Sequence, residues 1–210
     1  LWNAQTGEGL TYWTAPSEIL DIALLGNGNY ALLGLIDHSA ALFDVKNGGV
    51  QQVFYHQGRV TSVDSYEQKL IAATGSEDYK ARLWDLQSGK VKQEWAHTDE
   101  VQLVKISPDG TRVFTMAKYD KAAVWDASSG ELVATIPLAS TSIARGKFYT
   151  AVAFSKDSKY LLTGTANRIV ELWSIDDQRK VKQWQTPRRN PASPTSCLLY
   201  TSPSPRDLYR

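Results

Sequence analysis

The sequence predicts an all-β fold made of four-stranded antiparallel sheets that follow one another along the chain. Three observations predict it: aromatic anchors recur at a fixed interval, each interval holds four short apolar stretches, and turn residues separate those stretches. In one interval the stretches cover residues 60–64, 70–75, 80–86 and 91–95, which is the usual length of β-strands. No segment has convincing helical periodicity.

The aromatic anchors show a period of 41 residues. They are Trp2, Phe43, Trp84, Trp125 and Trp173, at intervals of 41, 41, 41 and 48 residues. A second series keeps the same intervals, and its members are Trp13, Phe54, Trp95, Ile136 and Trp184. Two series with one period indicate an internal repeat. The extra residues of the last interval are expected in a longer loop at 139–147, where small and polar residues collect.

Turn residues fall at matching places in the repeats. Glycine stands five residues after the anchor in four copies, as Gly7, Gly48, Gly89 and Gly130, and Gln178 takes its place in the fifth. Glycine tolerates the positive φ that a tight turn requires. The Ser-Pro-Asp-Gly segment at 107–110 is a second turn signal, because Pro presets φ and Gly accepts the reversal.

A four-stranded sheet of this length cannot bury both faces alone, so successive sheets must stack face to face. The sequence therefore predicts a β-propeller of four-stranded antiparallel blades in a partial ring. Four complete blades are expected over 18–56, 59–97, 100–138 and 147–186, preceded by an orphan outer strand over 9–15. We expect an arc of a seven-bladed ring, and the uncovered faces of an isolated arc should make it poorly soluble.

The two ends of the chain differ from the repeats. Leu1 and Trp2 read as the middle of a repeat, so we expect the natural N-terminus to lie further upstream. Residues 187–196 are expected to be unstructured, and 197–210 to be a non-native tail, because Cys197 to Asp207 resembles a translated sequencing-library adapter. The alternative is a native Pro/Ser-rich end. Discounting Cys197 leaves no thiol for a disulfide, a nucleophile or a zinc site.

The composition is that of a soluble globular protein. Apolar residues make up 42% of the chain and charged residues 21%, and the net charge is +1. No apolar run approaches the roughly 18 residues of a membrane-spanning helix. Because charges of both signs are scattered, nucleic acid and anionic membrane surfaces are poor default partners. The compartment stays undecided between cytoplasm and periplasm.

The period, the Trp-Asp pairs at 84–85 and 125–126, and the turn at 107–110 resemble the WD-repeat family over residues 1 to about 186. The resemblance implies a structural hydrogen-bond network within a blade that links His, Asp, a hydroxyl and Trp. The residues that fit it are His56, Thr74 or Ser76, Asp78 and Trp84 in one blade, and His97, Thr115, Asp120 and Trp125 in the next. Two repeats depart from this pattern: one has Asp37 with Phe43 and no matching histidine, and the other has Asn167 with Trp173. We expect the blades that they form to depend more on packing.

The resemblance also implies a scaffold that binds proteins or peptides on the face carrying the loops between blades. By position that face holds Glu18 and His38, and its candidate contact residues are Arg59, Tyr79, Lys80, Tyr119, Lys121, Phe148, Tyr149 and Arg168. Exposed Tyr, Phe and Arg are effective contact residues because they bury much area with little loss of entropy. The alternative for each is an ordinary loop residue.

Nothing in the sequence points to catalysis. Two of the three histidines, His56 and His97, repeat from blade to blade, which favours a structural role, and no nucleophile, metal or phosphate-binding motif is present. We therefore expect no enzyme activity, no cofactor and no metal. The alternative is a propeller-borne hydrolase or dehydrogenase whose active site lies partly in absent blades.

Overall fold

A computed structural model describes residues 3–10, 12–25, 28–118, 121–137, 149–165 and 168–187. Over these residues the predicted fold class is confirmed: the chain forms four antiparallel sheets of four strands, each a simple meander. Several parts of the sequence interpretation lie outside the described residues: the expected loop at 139–147, residues 188–196 of the expected unstructured end and the adapter-like tail. So do the following residues singled out above: Leu1, Trp2, Tyr119, Asp120, Phe148 and Asn167.

The sheets follow one another along the chain, and we number them as blades 1 to 4. Blade 1 comprises β1 (Ile19–Leu25), β2 (Tyr30–Leu35), β3 (Ser39–Asp44) and β4 (Gly49–Tyr55). Blade 2 comprises β5 (Val60–Tyr66), β6 (Ile71–Ser76), β7 (Lys80–Asp85) and β8 (Val91–Ala96). Blade 3 comprises β9 (Val101–Ile106), β10 (Arg112–Ala117), β11 (Ala122–Asp126) and β12 (Leu132–Ile136). Blade 4 comprises β13 (Tyr149–Phe154), β14 (Tyr160–Thr165), β15 (Ile169–Ser174) and β16 (Arg179–Gln185).

The turn between the third and fourth strands shows why the repeat needs its aspartate and glycine. In blade 2 the Asp85 carboxylate accepts the amide of Ser88 at 2.7 Å, and the Asp85 carbonyl accepts the amide of Gly89 at 2.9 Å. Gly89 has a φ of 71°, a conformation that costs L residues energy. Gln178 stands at this place in blade 4 and adopts a φ of 52°.

The core of the arc lies between the blades. Blades 1 and 2 share one cluster that includes Phe54, Val63 and Trp84, and blades 2 and 3 share another around Leu83 and Trp95. A third cluster joins blades 3 and 4; its members include Phe114, Ile136, Leu161 and Trp173. Each blade therefore buries its apolar side chains against its neighbour, as the stacking argument requires.

Polar contacts add to this packing along the inner strands. The Asp21 carboxylate of β1 accepts hydrogen bonds from the Ser62 hydroxyl at 3.0 Å and the Val63 amide at 2.9 Å, both on β5. Asp64 of β5 accepts the Ile106 amide of β9 at 2.7 Å in the same way. Each carboxylate thus satisfies a backbone donor that the neighbouring inner strand would otherwise leave unpaired.

The first blade leaves apolar side chains uncovered on its outer face. Ile22 is 53% exposed and Leu24 is 66% exposed, whereas Ala23 and Leu25, which face blade 2, are buried. This alternation of exposed and buried side chains is expected for a strand whose sheet packs against another sheet on one face only. The arrangement of the described residues is accordingly a partial ring.

The expected orphan strand over 9–15 is not formed among the described residues of that segment. Gly9 makes an isolated bridge, and residues 12–15 belong to no strand. A strand needs a hydrogen-bonded neighbour, and the described sheets offer none to this segment. Trp13 nevertheless contacts blade 1, because its indole Nε1 donates to the Val45 carbonyl at 3.0 Å.

Candidate interaction face

The loops that join successive blades and the turns between second and third strands lie on one side of the arc, which we call the upper face. Backbone hydrogen bonds connect the two kinds of loop. The amide of His56 donates to the carbonyl of His38 at 2.8 Å, and the amide of His97 donates to that of Tyr79 at 2.8 Å. The amide of Thr186 donates to the carbonyl of Arg168 at the same distance in blade 4.

Beneath this face, blade 2 contains a continuous buried hydrogen-bond network. The Trp84 indole N–H donates to the Thr74 hydroxyl at 2.8 Å, and Thr74 Oγ1 lies 2.7 Å from His56 Nε2. His56 Nδ1 lies 3.0 Å from Asp78 Oδ2. Asp78 can only accept, so the His56 tautomer with its proton on Nδ1 donates to Asp78 and accepts the Thr74 hydroxyl proton at Nε2. Arg82 Nη1, which lies 2.5 Å from Nδ1, then directs its hydrogen to Asp78 Oδ2. Four of the residues expected to act together are therefore in contact.

The network includes a charged residue that the sequence reasoning missed. Arg82 is 9% exposed, and its guanidinium donates to Asp78 Oδ2 at 3.0 Å and to Glu94 Oε2 at 2.7 Å. Glu94 stands opposite Arg82 in the β7–β8 ladder. A buried arginine is stable only with such partners, and the cross-strand pair supplies one of them.

The surroundings of His56 and Asp78 shift both pKa values downward. Burial of His56 disfavours the imidazolium ion, so the pKa of His56 lies below its ordinary value. Burial alone would raise the pKa of Asp78. Hydrogen bonds from His56 and from the Gln57 amide, together with the charge of Arg82, hold that pKa well below its usual range. At neutral pH the pair is a neutral imidazole beside an ionised carboxylate.

The second hydroxyl considered from the sequence, Ser76, lies outside this chain of hydrogen bonds. Its hydroxyl donates to the Gly58 carbonyl at 2.9 Å and accepts the Asp78 amide at 3.1 Å. The Gln57 amide donates to Asp78 Oδ2 at 3.0 Å. Ser76 and Asp78 therefore hold the loop 56–59 against the turn 77–79, so these two parts of the upper face form one unit.

Three candidate contact residues lie on that unit. The Arg59 side chain is 52% exposed, with its Nε 3.7 Å from a carboxylate oxygen of Glu77. Tyr79 is 50% exposed and has a φ of 67°. Lys80 is paired with Glu94 at 2.6 Å. The Arg59 and Tyr79 side chains are therefore half exposed on the upper face, whereas Lys80 forms an ion pair with Glu94 of its own sheet.

Blade 3 repeats part of the arrangement. The Trp125 indole N–H donates to the Thr115 hydroxyl at 2.7 Å, and the His97 ring meets the Trp125 ring edge-on with centroids 6.3 Å apart. The fourth expected member, Asp120, lies outside the described residues. Lys121 is an exposed residue on the upper face.

Blade 4 requires a correction. Tyr149, expected as an exposed contact, is only 2% exposed: its ring packs in the cluster between blades 3 and 4, and its hydroxyl donates to the Pro137 carbonyl at 2.6 Å. Tyr149 occupies the repeat position of Val101, which is a core position at the start of an inner strand. Arg168 does lie on the upper face, with its guanidinium donating to the Thr186 carbonyl at 3.2 Å.

Blade 4 also has a hydrogen-bonded pair that the sequence reasoning missed. The Trp173 indole N–H donates to the Thr163 hydroxyl at 3.2 Å. The threonine precedes its tryptophan by ten residues here, as it does in blades 2 and 3. In blade 1 the same two positions hold Leu33 and Phe43, which pack in one apolar cluster. A phenyl ring has no N–H, so a hydroxyl beside it would lack this partner.

Two further observations concern the described residues only. They contain no group of three or more His, Cys, Asp or Glu side chains that could hold a metal ion. They also contain no helix long and apolar enough to cross a membrane.

Comparison with known proteins agrees with this geometry. The family model "WD domain, G-beta repeat" matches residues 48–85 and 139–174. The chain contains WD40 repeats. Each match runs through the first three strands of one blade, blade 2 or blade 4. WD40 repeats are of the protein-interaction scaffold type. A comparison with curated proteins gave no match.

Proposed function

We propose that this WD-repeat chain is a non-enzymatic scaffold that binds a protein or peptide on its upper face. The observation that carries the proposal is the buried unit beneath that face. Asp78 accepts hydrogen bonds from His56, Gln57 and Arg82, so the loop and the turn that bear Arg59 and Tyr79 are held in one arrangement before a partner arrives. A preorganised surface gives up less entropy on binding, which favours affinity.

The chemistry of the network supports a structural role for the histidine. A general base must reach the proton it abstracts, whereas both ring nitrogens of His56 are used within the blade and its side chain is fully buried. Arg59 and Tyr79, by contrast, are half exposed and of the residue types that dominate binding energy at interfaces.

The test is capture of native partners by the tagged full-length chain and by variants of the upper face. We expect Arg59→Glu, Tyr79→Ala and Arg168→Glu to lose partner capture while the melting temperature stays the same. Lys90→Glu is the matched control, because Lys90 is an exposed cation in the turn between β7 and β8, on the opposite side of the arc. If the three variants capture the same partners as the wild type, this face is the wrong one.

A further inference from the structure

A cavity opens between blades 2 and 3 on the side of the arc opposite the upper face. Its volume is about 160 Å³, and its apolar wall includes Ile71 and Leu83 of blade 2 and Ala127 of blade 3. A space of this size accepts a group as large as benzene. The cavity is therefore large enough for one branched aliphatic side chain.

The cavity exists because blade 3 has a small residue where the other blades have a large one. Val45, Leu86 and Ile175 stand at the repeat position of Ala127. Leu86 packs against the apolar cluster between blades 1 and 2, and Ile175 is fully buried in the cluster between blades 3 and 4. The alanine lacks the carbon atoms that fill the corresponding space in those two interfaces. An aliphatic group that enters the cavity gains the missing contacts and leaves water, which favours its binding.

The lining of the cavity is cationic. Lys69 and Lys92 of blade 2 both line it, and both are exposed. Lys69 Nζ donates to the Gly110 carbonyl at 2.9 Å, and an ammonium group has two further hydrogens to donate. Among the described residues of the lining the only carboxylate is Asp126, which accepts hydrogen bonds from the amide and hydroxyl of Ser128 in its own turn. Two ammonium groups and one carboxylate leave a net positive charge.

The next interface along the arc contains the groups that this one lacks. There Ile175 and Asp176 stand at the repeat positions of Ala127 and Ser128. The Asp176 carboxylate accepts a hydrogen bond from the guanidinium of Arg112, a residue of blade 3, at 2.6 Å. An aliphatic side chain and a carboxylate on adjacent residues of blade 4 therefore fill the space and pair with a cation of the preceding blade. Between blades 2 and 3 an alanine and a serine take their places, whereas two lysines line the cavity.

We propose that this cavity binds an aliphatic carboxylate, with its hydrocarbon part beside Ala127 and its carboxylate at Lys69 and Lys92. Such a ligand supplies the two kinds of group that the chain itself supplies in the next interface. A free branched-chain acid and the C-terminal residue of a peptide share this chemistry. The site lies on the other side of the arc from Arg59 and Tyr79, so its ligand is additional to the partner of the upper face.

The experiment measures the dissociation constants of small probes on the full-length chain by saturation-transfer NMR. The probes are 4-methylpentanoate, its neutral analogue 4-methylpentanamide, acetate, and a tetrapeptide of three glycines and a C-terminal leucine. We expect 4-methylpentanoate to bind, and the amide to bind about tenfold more weakly, because it cannot accept charge-assisted hydrogen bonds from the lysines. Acetate should also bind at least tenfold more weakly, since it has no hydrocarbon chain to bury.

The tetrapeptide distinguishes the two sources of the ligand. Tighter binding of the tetrapeptide than of 4-methylpentanoate assigns the site to the C-terminus of a chain. The reverse order assigns it to a free acid, and either order supports the site.

Variants of the lining test the location. Ala127→Ile introduces the residue of blade 4 and should abolish binding of 4-methylpentanoate, while the unfolding midpoint equals or exceeds that of the wild type. Lys92→Gln should weaken binding about threefold to fivefold, which is the range for an exposed ion pair. Lys90→Gln is the matched control, because Lys90 is an exposed cation two residues away that does not line the cavity. It should leave binding unchanged.

The inference is overturned if 4-methylpentanoate does not bind, if 4-methylpentanamide binds equally well, or if Ala127→Ile binds the acid like the wild type. A lower unfolding midpoint of Ala127→Ile would overturn it too, because the space would then not accept an aliphatic side chain. Equal weakening by Lys92→Gln and Lys90→Gln would indicate a general effect of charge and contradict the placement of the carboxylate.

Discussion

Replacing Thr74 by valine tests the buried network directly. Thr74 is fully buried, and valine has nearly its shape, so Thr74→Val removes a hydroxyl and leaves the packing of the β6 strand unchanged. The substitution deprives two buried groups of their partner: the Trp84 indole N–H, which now donates at 2.8 Å, and His56 Nε2, which lies 2.7 Å away.

The expected loss of stability follows from those two groups. A buried polar group left without a partner costs about 1–3 kcal/mol, and water has no access to either group here, so loss of both partners should lower the free energy of unfolding by about 2–6 kcal/mol. For a chain of this size, a loss of about 3 kcal/mol lowers the melting temperature by about 6–12 °C. Thr74→Ser keeps the hydroxyl and should retain most of the stability.

Urea unfolding followed by tryptophan fluorescence and by circular dichroism measures the effect. Trp84→Phe removes the donor, so the double variant Thr74→Val/Trp84→Phe should be less destabilised than the sum of the single changes, by about 1–2 kcal/mol. Blade 1 carries such an apolar pair naturally, as Leu33 and Phe43. A Thr74→Val chain within about 0.5 kcal/mol of the wild type, or strictly additive changes, would refute the reasoning.

Three further outcomes are expected. Because burial lowers the pKa of His56, the unfolded chain binds more protons than the folded chain below about pH 6.5. The free energy of unfolding should therefore fall as the pH falls through that value. His56→Gln should flatten this part of the plot of urea midpoint against pH. Gly75→Ala places a Cβ 2.6 Å from Val101 and should cost about 1–3 kcal/mol, whereas Gly164→Ala, whose nearest contact is 3.8 Å, should be harmless; equal melting temperatures would contradict this. Leu24→Lys should reduce aggregation seen by light scattering without lowering the melting temperature, and unchanged scattering would show that the exposed face of β1 does not cause it.

The architecture could be predicted from the sequence because the repeat carries the same information several times. The anchors at Trp84 and Trp125 keep one period with their neighbours, and each repeat places four apolar stretches between turn residues. Only stacked sheets bury such a pattern. The network beneath the upper face in blade 2 was likewise within reach, because the family resemblance implies it and because its histidine, threonine and tryptophan recur at matching positions in the next repeat, where Asp120 stands one residue nearer its tryptophan.

Two features of blade 4 were missed although the sequence contained a signal for each. Thr163 precedes Trp173 by the same ten residues that separate Thr74 from Trp84, so the hydroxyl could have been located by spacing alone. Tyr149 was assigned to the exposed face by its position in the repeat. Alignment from the C-terminal side of the longer interval places it at a core position instead.

Other features depend on strand register, and the repeat period of the sequence does not indicate them. Arg82 reads as an ordinary polar residue of a half-exposed strand, and its burial depends on Glu94 standing opposite in the antiparallel ladder and on Asp78 reaching it from the turn. The positive φ values at Tyr79 and Arg168 could not be predicted from the sequence either, because neither tyrosine nor arginine is a residue type that indicates this conformation.

Arg82 and Glu171 occupy the same repeat position in blades 2 and 4, and both are buried with opposite charges. Arg82 and Glu171 cannot replace one another. A glutamate in blade 2 would face the carboxylates of Asp78 and Glu94. An arginine in blade 4 would face Lys180, which now donates to Glu171 at 3.0 Å. An array of similar sheets is prone to pairing the wrong neighbours. We interpret the two buried charges as specificity determinants. They lower the stability of the chain relative to an apolar pair, but they make pairing with strands of the wrong blade unfavourable.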